Sequence, residues 1–223
     1  MKNIREEIEN VLIKTGRSSE DVTLIAVTKT VDVDTVNKAI ELGITDIGEN
    51  RVQELEKKID GINGSVNCHL IGHLQTNKVR NIIDKVKLIH SLDRISLAKE
   101  LDKRAKMNDL VIDTLVQVNV AEEDTKFGLE VSKVLPFIEE ILKFDNIRIR
   151  GLMTIAPYTD DEILLREVFR TMYNLKEEIK NHNYENLTID YLSMGMTNDY
   201  KIAIEEGSNM IRVGTGIFGK RNY

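Results

Sequence analysis

The feature that most constrains this chain is strict alternation. Eight short apolar runs recur along it, each but the last followed by a stretch with helical spacing. The runs are read at residues 24–27, 45–47, 67–71, 88–90, 113–120, 147–152, 187–192 and 210–213. Such alternation implies parallel strands. Eight units in 223 residues predict one α/β domain over 1–223, a single (β/α)8 TIM-type barrel. An extra N-terminal helix over 4–14, with Ile4, Ile8, Val11 and Leu12 on one face, covers the remaining gap. The competing architecture is an open doubly wound sheet. Its dinucleotide-binding form wants Gly-x-Gly-x-x-Gly after the first strand, where this chain has Thr28-Lys29-Thr30. No linker, low-complexity segment or second domain is read.

The helical segments are expected after a cap at Asp34, then over 52–59, 79–86, 95–107, 131–142, 161–180 and 198–206. Pro136 belongs in an early turn of its helix or kinks it. The long helix over 161–180 carries Phe169, Met172 and Leu175 as core residues.

In barrels of this kind the site lies at the carboxyl ends of the strands. Lys29 ends the first strand, just beyond the fully buried run. Alone, it is most simply a strand-end lysine reaching solvent, its stem snorkelling. The functional reading is an amine held at the tip of a core strand, where burial frees it to attack a carbonyl. The other tips are polar or glycine-rich: Glu49-Asn50, Gly72-His73, Ser91 and Asp93, Thr154, Ser193 and Gly195, and Gly214-Thr215-Gly216. The last two follow strands seven and eight, where barrels often bind phosphate. Glycines there let backbone N–H groups converge on an anion, and hydroxyls add donors. Arg212 sits inside an apolar strand, on the opposite face from Ile211 and Val213. It either pairs with a carboxylate on the outer layer or points inward at an acceptor in the pocket.

Other chemistries are disfavoured. His69 and His73 are four apart, a shared face only on a helix, so no metal site is expected. His90 and His182 read as structural or exposed. Ser91 and Asp93 lack a histidine at any legible spacing, against a hydrolase triad. Lysines alternate with acids and the net charge is −6, so no nucleic-acid surface is expected. No apolar run reaches membrane-spanning length, and the N-terminus lacks the apolar core of a signal peptide. A cytoplasmic location follows as the expectation. Cys68 is alone, which excludes an intrachain disulfide and suits a small buried hydrophobe.

Six strings lie in register along almost the whole chain: Ile25-Ala-Val-Thr-Lys-Thr, Gly48-Glu-Asn-Arg-Val-Gln-Glu, His69-Leu-Ile-Gly-His-Leu-Gln-Thr-Asn-Lys, Gly151-Leu-Met-Thr, Leu192-Ser-Met-Gly-Met-Thr-Asn-Asp-Tyr and Ile211-Arg-Val-Gly-Thr-Gly-Ile-Phe-Gly. Together they resemble the pyridoxal phosphate homeostasis proteins, relatives of the alanine racemase N-terminal barrel. The resemblance implies pyridoxal 5'-phosphate (PLP) as cofactor and Lys29 as its Schiff-base lysine. It further implies that Ser193, Gly195, Gly214 and Thr215 hold the phosphate, that Arg212 faces the pyridine nitrogen, and that Asn50 lies near the ring. An arginine there keeps the ring nitrogen unprotonated, a weaker electron sink than a pyridinium. The resemblance thus implies a monomeric carrier in vitamin B6 and amino-acid homeostasis, with PLP-dependent apoenzymes as possible recipients and no turnover. The alternative is a PLP-dependent racemase or decarboxylase. The chain departs from alanine racemase after Lys29, where it lacks that enzyme's Ala-x-x-Tyr-Gly-His string.

Overall fold

The computed structural model describes residues 2–18, 21–123, 126–185 and 187–219. Helix α1 (Lys2–Thr15) precedes eight strands: β1 (Thr23–Val27), β2 (Asp46–Glu49), β3 (Asn67–Leu70), β4 (Leu88–Leu92), β5 (Ile112–Val118), β6 (Ile147–Thr154), β7 (Tyr191–Met196) and β8 (Met210–Val213). All neighbours pair in parallel, and β8 closes on β1 through Thr23↔Met210 and Ile25↔Arg212. The predicted barrel is the observed one. The connections carry α2 (Val33–Glu41), α3 (Val52–Lys58), α4 (Ile95–Met107), α5 (Val134–Ile141), α6 (Glu162–Asn181) and α7 (Tyr200–Glu205), and α8 (Thr215–Phe218) follows β8.

Alternation sorts each strand into two cores. Ala26, Ile47, Leu70, Ile89 and Val116 face outward, into the layer shared with the helices. Ile25, Leu88, Leu115, Met153 and Met210 form a separate cluster inside the barrel. Ile211 and Val213 pack on α1 and α7 through Ile4, Ile8, Leu12 and Ile204, so Arg212 between them points inward.

Several local expectations are corrected. Residues 79–86 form no α-helix. A 3-10 helix spans Thr76–Asn81 and turns follow, yet Val79, Ile82, Ile83 and Val86 still bury against the barrel. The cap of α2 is Asp32, whose carboxylate accepts from the N–H of Thr35 at 2.8 Å; Asp34 lies inside the first turn. Strand β7 begins at Tyr191, later than the apolar run suggests. Asn209 sets that start by accepting from the N–H of Leu192 and donating to the carbonyl of Asp190. Ser193-Met194-Gly195-Met196 therefore belongs to the strand and not to the loop after it. Pro136 falls in the first turn of α5, where its missing N–H leaves no gap. Among the described residues no helix is long and apolar enough to cross a membrane.

Candidate functional site

Lys29 follows β1 and is held from both sides. The carbonyl of Thr28 accepts from Lys58 Nζ at 2.7 Å, and Lys58 also donates to Glu49 Oε1 at 2.7 Å. Thr28 Oγ1 donates to the same carboxylate oxygen at 2.7 Å. Beyond the lysine, the N–H of Thr30 donates to Glu54 Oε2 at 2.7 Å. Thr30 has φ 60, a left-handed conformation that a β-branched residue rarely adopts. Such strain persists only where neighbours over-determine it, and here it turns the chain sharply after Lys29. Lys29 itself has no hydrogen bond or ion pair among the described residues. Glu49 is buried and its carboxyl is pushed up by burial, against the pull of Lys58 and Thr28.

Lys29 opens onto a cavity of about 380 Å³ at the carboxyl mouth of the barrel, shared with Asn50, His73, Phe127, Met196 and Arg212. That volume lies within the usual range for small-ligand sites. His73 stacks on Phe127 with ring centroids 3.8 Å apart. The imidazole of His73 is lowered below its ordinary pKa by burial, then by Arg94. Lys126 also lines the cavity, but its Nζ is engaged by Glu123 and by the carbonyl of Ala156 at 3.1 Å.

Arg212 is 4% exposed. Its Nη1 donates to Ser193 Oγ at 2.6 Å and its Nη2 to the carbonyl of Thr154 at 2.8 Å. A guanidinium has five N–H donors, so others remain for an acceptor in the cavity. Burial lowers its pKa to about 10, opposed by Asp199. Ser193 is fully buried, with Arg212 on one side and His90 Nδ1 at 3.0 Å on the other. Its hydroxyl therefore serves the arginine, not the loops at the mouth where it was expected.

Those loops meet at a different hydroxyl. Thr215 Oγ1 lies 3.2 Å from Thr197 Oγ1, and the N–H of Gly216 donates to Thr197 Oγ1 at 3.4 Å. Thr197 is the residue that sequence reasoning missed. Its signal was legible: a hydroxyl two residues past a tip glycine, matching the one just past Gly214. Gly195 has φ 94, and a Cβ there would sit 2.6 Å from that of Ala203. The glycine lets α7 pack under the loop. Gly214 is buried, and its carbonyl accepts from the N–H groups of Ile217 and Phe218. Sequence reasoning also left His69 and His90 unconnected, although neighbouring strands bring them together inside the barrel.

The structure thus gathers Lys29, Asn50 and Arg212 on one cavity and places Thr215 with Thr197 on the loops after β7 and β8. Together the fold and this mouth define a barrel of the alanine racemase type. The family model "Alanine racemase, N-terminal domain" matches residues 2–222. The chain belongs to the pyridoxal phosphate homeostasis protein family. It is 39% identical over 224 residues to the pyridoxal phosphate homeostasis protein of Aquifex aeolicus (strain VF5), covering 100% of this chain and 97% of that protein. Among solved structures it is similar to an unknown protein from Bifidobacterium adolescentis, with TM-score 0.93, 33% identity, and 97% and 92% of the two chains covered. It is likewise similar to PipY of Synechococcus elongatus PCC7942 with PLP bound, with TM-score 0.84, 30% identity, and 95% and 100% covered.

Proposed function

We propose that this protein binds PLP at the mouth of its barrel, as a carrier in vitamin B6 and amino-acid homeostasis. The observation that carries the reading is the inward arginine. Arg212 shares a cavity with Lys29, which has no hydrogen bond or ion pair among the described residues. PLP supplies an aldehyde that a lysine amine captures as a Schiff base, a ring nitrogen that accepts a hydrogen bond, and a phosphate dianion. Lys29 is positioned to take the aldehyde, Arg212 to donate to the ring nitrogen, and Asn50 to border the ring. Gly195, Gly214 and Thr215, joined by Thr197, form the phosphate cradle, while Ser193 supports Arg212. Net charge −6 and the single cysteine suit a soluble cytoplasmic protein, and the reading includes a monomer that passes its ligand to PLP-dependent apoenzymes.

Titration of the purified chain with PLP, followed by visible absorbance, tests this directly. Saturation at one PLP per chain is expected, with pyridoxal lacking the phosphate bound far more weakly. Thr197→Val and Thr215→Val should each cost about 1–3 kcal/mol of PLP affinity and leave pyridoxal affinity unchanged. Equal affinity for the two ligands contradicts the cradle.

The chain's residues favour holding over turnover. Racemisation needs two bases, one on each face of the substrate's α-carbon. Tyr200, just past the tip of β7, is not placed to be the second, because its hydroxyl donates to Glu7 on the outer face. Arg212 donates and never accepts a proton from a ring nitrogen, which keeps carbanion chemistry weak. Exchange of the α-hydrogen of alanine or serine in heavy water is expected to stay well below about 1 per second. Faster exchange that disappears in Lys29→Ala establishes a racemase instead.

A further inference from the structure

A line of five side chains crosses the barrel interior by hydrogen bonds. Asp46 Oδ1 lies 2.9 Å from His69 Nε2, and His69 Nδ1 lies 3.0 Å from His90 Nε2. His90 Nδ1 lies 3.0 Å from Ser193 Oγ, which Arg212 Nη1 meets at 2.6 Å. All five residues are buried. Barrel interiors of this kind are ordinarily filled by branched apolar side chains. A polar line there is costly unless every member is paired.

The ends set its direction. Arginine only donates and a carboxylate only accepts. Ser193 Oγ accepts from Arg212 and still has its own O–H to place; its other partner among the described residues is His90 Nδ1, so the hydroxyl donates there. The Nε2–H of His90 then donates to His69 Nδ1, and the Nε2–H of His69 donates to Asp46. Each imidazole carries one proton and every facing pair is one donor and one acceptor. The reverse pair of tautomers sets a bare His69 nitrogen against the Asp46 carboxylate and leaves the Ser193 proton unplaced. Burial holds the His90 imidazole far below its ordinary pKa, which agrees with a neutral ring. Asp46 also receives Thr45 Oγ1 at 2.7 Å and Asn67 Nδ2 at 3.0 Å, so the acceptor end is itself fixed. It borders a second cavity, of about 460 Å³, lined by Arg5, Ile8, Glu9 and Thr45. The line thus joins that cavity to the mouth.

We propose that Asp46, His69 and His90 are positioning residues for Arg212, acting through Ser193 to keep its free N–H groups aimed into the mouth. The ligand half of this inference rests on the PLP reading above; the direction of the hydrogen bonds does not. It gives a use to two histidines and an aspartate that the proposed ligand contacts do not involve.

Nitrogen-15 NMR of the histidine rings in the whole chain tests the direction, with His73→Gln and His182→Gln identifying the other two signals. Both the His69 and His90 rings are expected to carry a proton on Nε2 and none on Nδ1, with and without PLP. A proton on Nδ1 of either one overturns the direction. The role toward the ligand is read from bound PLP. Asp46→Leu, His69→Leu and His90→Leu should each shift its visible band and weaken its retention about three- to tenfold, the scale of one buried hydrogen bond. Asp46→Asn, which keeps an acceptor for His69, should restore both. A folded His90→Leu protein with an unshifted band and unchanged retention overturns the positioning role while leaving PLP binding intact. A wild-type chain that takes up no PLP overturns the ligand reading itself, and the positioning role with it.

Discussion

Lys29→Ala is expected to abolish the visible chromophore formed with PLP and to weaken retention of the ligand by at least about a hundredfold. The proposed covalent link would be the strongest attachment the mouth offers, and Lys29 is the lysine on the cavity without a hydrogen bond or ion pair among the described residues. Lys126 shares the cavity, but carries Glu123 and backbone carbonyls on its Nζ. The fold should survive, because Lys29 makes no hydrogen bond or ion pair among the described residues that anchors the end of β1. Thr28 and Thr30 supply those anchors through Lys58, Glu49 and Glu54. Circular dichroism and the urea midpoint should match those of the unmodified chain within about 0.5 kcal/mol. Residual PLP binding without the link reports the cradle and Arg212 alone, and it should still fall when the phosphate is removed from the ligand.

A second large effect concerns acid. Burial lowers His90 well below its ordinary value of 6.5. The unfolded chain takes up a proton at His90 as pH drops through about 6.5, and the folded chain does not. Stability is therefore lost as pH falls through that window, with a slope approaching about 1.4 kcal/mol per pH unit for this one proton. Asp46 acts in a lower window. Burial raises its carboxyl, but His69, Thr45 and Asn67 outweigh that and hold it below 3.8. Its contribution is present above that value and is lost as pH falls through the folded-state pKa. Urea midpoints between pH 7.5 and 5 should show the His90 slope. In His90→Leu the slope should be shallower by one proton, whatever the variant's absolute stability. An equal slope in the two proteins contradicts a neutral buried imidazole.

The barrel was legible because short apolar runs and helical spacing repeat in strict order, and a closed parallel sheet covered by helices uses both. The tips at Lys29, Asn50 and Arg212 were legible for the same reason: strand ends converge at one mouth. Whether Arg212 faced in or out depended on what Ile211 and Val213 pack against, which only the placement of α1 and α7 decides. Ser193 was misplaced by a boundary. Apolar residues before Tyr191 read as strand, yet pairing with β6 begins at Tyr191, so Ser193 lies inside the barrel wall and turns to Arg212. Thr197 was missed for the same reason: it lies in the turn immediately after β7, just past the stretch read as the tip. The interior line was illegible because Asp46, His69, His90 and Ser193 come from four strands. Their meeting depends on the stagger between neighbours, which sequence spacing does not carry.

The central claim is that the mouth holds PLP on Lys29. The most direct measurement is borohydride reduction of the PLP-loaded chain, followed by proteolysis and mass mapping of the pyridoxyl-phosphate peptide. The account predicts a single major adduct, on Lys29, in about one equivalent per chain. A major adduct on Lys126 or any other lysine, or none after reduction of a yellow protein, contradicts it.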